Sequence, residues 1–359
     1  MKIKPIAAVL ATATAFTLVG CAANEAAGTG GTSSAAAQTL TGKGASSMKA
    51  AQEKWVADFQ TAHTGITVNY SPEGSSAGRS AFTAGAVQFA GSDRPLKDEE
   101  MGAGKFATCA ADSNALNLPV YVSPIAIIFK LDGIDKLSLD PATAAKIFAG
   151  QITKWNDPAI VALNPNAKLP DSNITAVHRA DGSGTTNNFT DTLHQLAPEV
   201  WTESAADDWP AAFGGEAATG TSGVVSAVSG GQGTIGYADA SAAKNVGIAS
   251  LAVNGKSLEP SAEAAAAVID HSQTVAGRGE HDLAYSLDRT SEGVYPAVLV
   301  SYAIVCETYK DAATAKLVKD YIGYIASAEG QQAAATAAGS APLSAAIQAK
   351  VKAAVDSIK

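Results

Sequence analysis

Two long apolar runs, far apart in the sequence, constrain the fold of this chain most strongly. Leu118 to Lys130 reads LPVYVSPIAIIFK and Pro296 to Val305 reads PAVLVSYAIV, and both are rich in β-branched residues. Continuous apolar runs of this kind are typical of strands that are buried on both faces. Because a separate stretch of helices and strands lies between them, we expect the chain to leave a first domain along one run and to return along the other.

The segment before the first run alternates between helical and strand patterns. MKAAQEKWVADFQTAH places Met48, Trp55 and Phe59 at helical spacing, and ITVNY at 66–70 alternates like a strand. RSAFTAGA then predicts a short helix that leads into the strand VQFAG at 87–91. Strands that alternate with helices in this way are typical of an α/β fold with a parallel sheet.

The segment between the two apolar runs has an α/β pattern of its own. It includes the predicted strands ITAVH at 174–178 and IGYAD at 235–239. At 359 residues the chain is long enough for two domains, each with its own core. We predict that residues 39–129 and 298–359 form domain I and that residues 130–297 form domain II.

The N-terminus resembles a bacterial lipoprotein signal. MKIK precedes an apolar run at 6–19, and the run ends in LVGC. This run is too short to favour a retained spanning helix. The resemblance implies that residues 1–20 are a signal peptide and that lipidated Cys21 anchors the exported chain to the outer face of the cell membrane. Residues 21–38, rich in Ala, Gly, Ser and Thr, then form a flexible tether.

Charge and composition exclude several classes of protein. Hydrophobic residues make up 47% of the chain and charged residues 16%, so the main part is globular rather than disordered. The net charge is −9, and it becomes −11 when the two lysines of the signal are removed, which opposes nucleic acid as a partner. Any anion must therefore be held by local dipoles and single arginines, because the field of the whole molecule repels it.

Two cysteines remain in the mature chain besides the predicted lipid anchor Cys21. Cys109 and Cys306 in an exported chain predict a disulfide, although two separate buried thiols remain an alternative. The sequence contains no CxxC motif, and its five histidines lack the spacing of metal ligands. We therefore expect no metal site and no cofactor.

Small polar loops follow four of the predicted strands. All four lie at the carboxyl ends of strands, where open α/β sheets place their ligands. The loops are Ala45-Ser46-Ser47, Gly74-Ser75-Ser76-Ala77-Gly78, Ser92-Asp93-Arg94 and Asp181-Gly182-Ser183-Gly184-Thr185.

Three of these loops run directly into predicted helices. The first N–H groups of a helix have no partner within it and carry the positive end of its dipole, so they attract anions. Glycine lets the backbone approach a ligand, and Ser or Thr adds a hydroxyl donor. Each loop alone could be ordinary helix capping. Together with Arg179, which offers a bidentate grip on oxyanion oxygens, they predict an oxyanion site between the domains.

Several motifs together resemble the phosphate-binding protein family of ABC-type phosphate uptake systems. The similarity extends from about Leu40 to the C-terminal helices and therefore covers nearly all of the mature chain. The motifs are LTGKGASS, NYSPEGSSAG, FAGSDRPL, KIFAGQITKWNDPAIVALNP and HRADGSGTTNNFT.

The resemblance implies that four residues of domain I contact the ligand. Ser46 donates to phosphate through its hydroxyl and N–H, Ser47 through its backbone N–H, and Ser75 from the second loop. Asp93 accepts a hydrogen bond from the ligand. Many members have Thr-Phe where this chain has Ser46-Ser47, so the aromatic wall of the cleft is missing.

The resemblance implies that domain II supplies the remaining contacts. Arg179 pairs with phosphate and is oriented by Asp181, while Ser183, Gly184 and Thr185 cap the ligand from the start of a helix. The implied protein is a monomeric, two-domain, hinged binding protein. It is not an enzyme, and it carries phosphate in the interdomain cleft to the permease of an ABC transporter.

Two other functions fit parts of the sequence. GSSAG at 74–78 also matches the GxSxG nucleophile elbow of serine hydrolases, with Ser76 as the nucleophile. Against this, His271 and His281 lie in a polar run rather than after a core strand. The second alternative is a binding protein of the same fold for another small ligand, such as a sugar or an amino acid.

Overall fold

The computed structural model describes residues 38–359. The predicted signal at 1–20, the lipidation site Cys21 and all but the last residue of the tether lie outside the described residues. Within residues 38–359, no helix combines the length and the apolar character needed to cross a membrane.

The described chain alternates between strands and helices over most of its length. The strands are β1 (Gln38–Gly44), β2 (Ile66–Ser71), β3 (Phe89–Ser92), β4 (Ala115–Lys130), β5 (Leu137–Leu139), β6 (Thr175–Arg179), β7 (Glu216–Ala218), β8 (Thr234–Asp239), β9 (Gly247–Val253), β10 (Lys256–Leu258), β11 (Gln273–Thr274), β12 (Tyr285–Ser286) and β13 (Val298–Cys306). The helices are α1 (Lys49–Ala62), α2 (Ser75–Thr83), α3 (Pro141–Phe148), α4 (Pro158–Leu163), α5 (Gly184–Leu196), α6 (Gly220–Gly230), α7 (Ala262–His271), α8 (Ala312–Ala326), α9 (Ala328–Ala338) and α10 (Ala345–Ser357).

The main sheet runs in the order β2-β1-β3-β13-β4-β8-β6-β7, and β9 extends it from the far end of β4. The pairs β1–β2, β1–β3, β6–β7 and β6–β8 are parallel, as the alternating sequence pattern predicts. The central strands β4 and β13 are antiparallel to each other and to their neighbours β8 and β3. The sheet is therefore mixed rather than wholly parallel.

The two apolar runs form the central strands β4 and β13, and this confirms the predicted crossover. Every residue of β4 except Lys130 is buried, as is all of β13. Up to Pro124, β4 pairs with β13; from Ile125 onward it pairs with β8. One strand thus belongs to both halves of the molecule.

We call residues 38–124 and 298–359 the first lobe and residues 125–297 the second lobe. The domain limits predicted from the sequence, 129/130 and 297/298, remain a prediction. The two cysteines form the predicted disulfide: Cys109 and Cys306 are bonded, with their Cα atoms 5.3 Å apart. Both cysteines lie in the first lobe, close to the point where the returning strand β13 ends.

Candidate functional site

The four polar loops meet between the two lobes. Ser46 and Ser47 stand between β1 and α1, Ser75 is the first residue of α2, and Asp93 directly follows β3. From the second lobe, Ser183 caps α5 with its side chain, which accepts a hydrogen bond from Thr186 N at 3.2 Å. The structure therefore brings together loops that are far apart in the sequence, such as those of Ser46 and Ser183, which are 137 positions apart.

Asp93 is the buried carboxylate of the site, with 2% of its surface exposed. Its Oδ1 accepts hydrogen bonds from Ser47 Oγ at 2.6 Å and from Ser301 Oγ at 2.8 Å. Its Oδ2 accepts one from Thr185 Oγ1 of the second lobe at 3.0 Å. Burial raises the pKa of Asp93, while the three hydroxyl donors and the charge of Arg179 oppose that rise.

Arg179, at the end of β6, is also buried, with 3% of its surface exposed. Its guanidinium holds Asp181 through two hydrogen bonds, and the one from Nε to Oδ1 measures 2.7 Å. Gly220 N donates to the same Oδ1 at 2.9 Å. Burial alone would raise the pKa of Asp181, but the hydrogen bond and charge of Arg179 hold it below its usual value. Asp181 thus holds the guanidinium of Arg179 in one orientation.

The backbone of α5 lies close to the first lobe at Gly184. A Cβ atom at this position would lie 2.7 Å from both Asp93 Cβ and Ser75 Oγ. Ser75 Oγ in turn accepts a hydrogen bond from Asp93 N at 3.1 Å. One turn further along α5, Asn188 Nδ2 donates to Asp93 O at 2.6 Å. Glycine is therefore required at position 184 for the lobes to meet as they do.

Ser46 also bridges the two lobes. Its Oγ lies 2.9 Å from Thr221 Oγ1 and accepts a hydrogen bond from Thr221 N at 3.1 Å. Ser46, Ser47 and Thr221 also line an open cleft of about 630 Å³. Ser46 therefore contributes its hydroxyl at the mouth of the site, whereas Ser47 turns its hydroxyl toward Asp93.

Sequence reasoning missed three residues of this site. Ser301 lies inside the buried strand β13, where a hydroxyl among apolar residues is a recognisable signal. Thr221 follows Gly220 at the start of α6, and a glycine next to a hydroxyl residue at a helix start is also the pattern of the loops before α2 and α5. Asn188 is a buried amide on the inner face of α5, and only the tertiary structure shows that it reaches Asp93.

Ser76 lacks the partners of a serine nucleophile. Its Oγ accepts a hydrogen bond from Arg79 Nη2 at 3.0 Å and donates to Asp207 Oδ2 at 3.4 Å. Among residues 38–359, no histidine forms a hydrogen bond with Ser76; His178, for example, contacts the Arg179 carbonyl oxygen. The one carboxylate that Ser76 contacts, Asp207, is paired with Arg79, and the histidine that acts as the base of a Ser-His-Asp triad is not among the partners of Ser76 in the described residues.

The groups around the cleft suit a small oxyanion that carries a proton. The N-terminus of α5, serine and threonine hydroxyls and a buried guanidinium supply donors and positive charge. Asp93, if ionised, can only accept a hydrogen bond. Within the described residues, no group of histidine, cysteine and acidic side chains could hold a metal ion.

The chain matches a family model described as a PBP superfamily domain over residues 29–329. "Phosphate-binding protein PstS 3" of Mycobacterium leprae (strain TN) is 36% identical over 294 residues, which cover 79% of this chain and 78% of that protein. "Phosphate-binding protein PstS2" of Mycobacterium bovis (strain BCG / Pasteur 1173P2) is 34% identical over 345 residues, 92% of this chain and 91% of that protein.

Two solved structures illustrate the likeness in fold. A high-affinity periplasmic phosphate-binding protein, solved with phosphate at pH 8.5, superposes with a TM-score of 0.70 at 23% identity, over 88% of this chain and 93% of that one. The phosphate-binding protein from Stenotrophomonas maltophilia gives a TM-score of 0.65 at 20% identity, over 88% and 94% of the two chains. The fold of this chain is therefore the two-domain fold of periplasmic phosphate-binding proteins.

Proposed function

The chain belongs to the PstS family of phosphate-binding proteins within the PBP superfamily, and on that premise we propose that it binds inorganic phosphate between its lobes and delivers it to an ABC transporter permease. One observation carries the proposal for this chain. A buried carboxylate of the first lobe, Asp93, and a buried cation of the second lobe, Arg179, lie close enough for the charge of Arg179 to act on the carboxyl of Asp93.

We assign the roles in the site as the resemblance to the family implies. Arg179 pairs with phosphate oxygens, and Asp93 accepts the ligand's P–OH proton. Ser46, Ser47 and Ser75 donate from the first lobe. From the second lobe, the start of α5 donates through Ser183, Gly184 and Thr185, while Asp181 keeps Arg179 in position.

Calorimetric titration of the mature protein with phosphate, sulfate and a panel of sugars tests this function. We expect phosphate to bind and the sugars to give no heat. Arg179→Gln should abolish or greatly weaken phosphate binding. The control for the loss of a positive charge is Lys154→Gln, since Lys154 pairs with Asp171 within the second lobe and does not line the cleft. Sugar binding without phosphate binding would overturn the proposal.

We further propose that the protein is a binding protein and not an enzyme, that it needs no cofactor, and that it acts as a monomer. Because Ser76 contacts an arginine and an aspartate, a fluorophosphonate probe should not label it. Labelling that Ser76→Ala abolishes would instead support a hydrolase.

We also propose that Cys21 carries the lipid that anchors the exported chain to the outer face of the cell membrane. Metabolic labelling with a fatty acid, compared between wild type and Cys21→Ser, tests this anchor. Equal labelling of the two proteins would exclude it.

A further inference from the structure

A second group of charged residues joins the lobes beside the phosphate site. Asp207 lies in the loop between α5 and β7 of the second lobe, whereas Arg79 on α2 and Arg94 after β3 belong to the first lobe. Asp207 Oδ2 is 2.5 Å from Arg79 Nη2 and 2.8 Å from Arg94 Nη2. Arg94 Nε also donates to Asp207 Oδ1 at 3.0 Å. We call these three residues the interlobe ion cluster.

The cluster is shielded from water. The side chains of Arg79, Arg94 and Asp207 are only 6%, 9% and 13% exposed. By contrast, the ion pair between Lys154 and Asp171 within the second lobe is more than half exposed. An exposed pair contributes little, but removing one partner of a buried, hydrogen-bonded pair leaves an uncompensated charge and is strongly unfavourable.

The arginines are also held by contacts within their own lobe. Arg94 is bonded to Glu100 through Nη1 at 2.6 Å and Nη2 at 3.0 Å. Arg79 Nη1 donates to Ser92 Oγ at 2.7 Å. Among the described residues of the first lobe, Glu100 is the acidic side chain that pairs with both arginines, at 3.6 Å from Arg79 Nε and 2.6 Å from Arg94 Nη1. Asp207 therefore neutralises a surplus positive charge of the first lobe only in the closed form.

The cluster is connected directly to the ligand-binding end of α5. The carbonyl oxygen of Asp207 accepts a hydrogen bond from Ser183 N at 2.8 Å. Next to this contact, Ser76 N donates to Gly182 O at 3.2 Å across the lobes. The loop that carries Asp207 thus moves with the helix N-terminus that would cap phosphate.

We propose that Asp207, Arg79 and Arg94 determine phosphate affinity without touching the ligand, by stabilising the closed form and slowing phosphate release. This inference rests on the proposed function. The side chains of Arg79 and Arg94 bond to Asp207, Glu100 and nearby oxygens of the first lobe, so they are positioning residues and not ligands of phosphate. Ligand affinity rises with the population of the closed form, and coupling of this kind typically changes affinity about 5- to 150-fold.

The test compares Asp207→Asn with Asp208→Asn. Asparagine has nearly the size of aspartate but carries no charge. The backbone carbonyl oxygen of residue 207, which accepts the hydrogen bond from Ser183 N, is unchanged by the substitution. Asp208 is exposed and forms no ion pair within residues 38–359, so its variant is a matched control for charge. Phosphate dissociation is measured by stopped flow with an excess of a second phosphate-binding protein as a trap, and the Kd is measured by calorimetry.

We expect Asp207→Asn to release phosphate at least about fivefold faster than wild type, with a matching rise in Kd, while Asp208→Asn behaves like wild type. Arg94→Lys keeps the positive charge but loses the planar guanidinium with its paired N–H donors. This variant should therefore release phosphate at a rate between those of wild type and Asp207→Asn. It also serves as the second variant if Asp207→Asn does not fold. Release from both variants at the rate of wild type would overturn the proposal. Tighter binding by Asp207→Asn would also overturn it, because the freed arginines would then be ligands.

A failure of the proposed function can be distinguished from a failure of the cluster. If wild type does not bind phosphate, the function fails, but solution scattering of the ligand-free proteins still tests the cluster. Asp207→Asn should then be more expanded than Asp208→Asn. Equal radii of gyration would overturn the role of the cluster in closure.

Discussion

A carboxylate in an anion-binding site is explained by the protonation state of the ligand. Asp93 is buried and already accepts hydrogen bonds from Ser47, Ser301 and Thr185. At neutral pH, phosphate keeps at least one P–OH group that can donate to this carboxylate, whereas sulfate is a bare dianion. Sulfate would place like charges together at low dielectric, where repulsion is strong. Asp93 is therefore the residue that we expect to set selectivity.

Asp93→Asn should narrow the difference in affinity between phosphate and sulfate, chiefly by admitting sulfate. The asparagine offers an N–H donor in place of an obligate acceptor. A buried group left without a partner costs about 1–3 kcal/mol, and more when it is charged, so sulfate should gain at least about fivefold in affinity. Competition titrations of wild type and variant measure this ratio. An identical ratio in the two proteins would show that another residue discriminates.

Gly184→Ala should weaken phosphate binding without destabilising the protein. The added Cβ would meet Asp93 Cβ and Ser75 Oγ at 2.7 Å, so the lobes could not close fully. Overpacking of this kind costs about 1–3 kcal/mol, which corresponds to about 5- to 150-fold in Kd. Alanine is a better helix former than glycine, so thermal stability should not fall.

The control for this prediction is Gly223→Ala. Gly223 lies on α6 of the same lobe, where an added Cβ would make only ordinary contacts of 3.6 Å or more with Ala218. The phosphate affinity of this variant should equal that of wild type. Equal Kd values for Gly184→Ala and wild type would show that the close approach at Gly184 is not needed for binding.

At the scale of elements, the strands and helices could be predicted wherever the pattern of apolar residues is strong. Both crossover strands follow from the runs at 118–130 and 296–305, and α1 from its helical spacing. The antiparallel direction of β4 and β13 does not follow, because a strand buried on both faces looks the same in either direction.

The candidate site was predictable in part for a similar reason. Loops with glycine and hydroxyl residues before helices can be recognised from the local sequence. For this reason the sequence predicts Ser46, Ser75 and Ser183 as site residues. The interlobe ion cluster could not be predicted, because Arg79, Arg94 and Asp207 are separated by up to 128 residues. Charged residues in loops are common, and only their tertiary contacts show that these three are buried together.

The crossover region contains a buried acid that should make stability depend on pH. Asp239, at the end of β8, is fully buried beside Tyr121 and Ser241. Burial raises its pKa from 3.8 to about 6. Between these two pKa values the folded protein keeps a proton on Asp239 that the unfolded chain releases. The contribution of Asp239 to the free energy of unfolding therefore falls as pH rises from about 4 to about 6, and it does not change further above that. The loss corresponds to about 3 kcal/mol.

Asp239→Asn should remove this part of the pH dependence. The asparagine oxygen can still accept from Ser241 N, and no group needs to ionise. Urea denaturation of wild type and variant at several values between pH 4 and pH 7 gives the difference in the free energy of unfolding. The free energy of unfolding of the variant, relative to that of wild type, should increase as pH rises through this window. A difference that does not change with pH would mean that Asp239 titrates normally.

At the scale of the whole molecule, the disulfide forms a covalent loop that includes the entire second lobe. Cys109 and Cys306 are 197 positions apart, and both belong to the first lobe. A cross-link of this span restricts the unfolded chain, with an expected contribution of ~3–5 kcal/mol on the chain-entropy model. Cys109→Ser combined with Cys306→Ser should lower the free energy of unfolding by about this amount. Two titratable thiols in the unfolded, unreduced wild-type protein would contradict the bond.

Closure of the two lobes on the ligand is the motion that the whole architecture predicts. The proposed phosphate contacts come from both lobes, with Asp93 on one side and Arg179 on the other. Contacts such as Ser46 with Thr221 and Asp93 with Thr185 can exist only while the lobes are together. The lobes are joined by β4 and β13, so they can separate by bending these strands while each keeps its core.

Phosphate should therefore shift the equilibrium of the lobes toward the closed form, because only that form offers the ligand every contact at once. Solution scattering with and without phosphate should show a smaller radius of gyration in its presence. Sulfate at the same ionic strength is the control, since we expect it to leave the radius unchanged. If phosphate is bound in the same sample but the radius does not change, the lobes are already closed without ligand, and affinity arises within a preformed cleft.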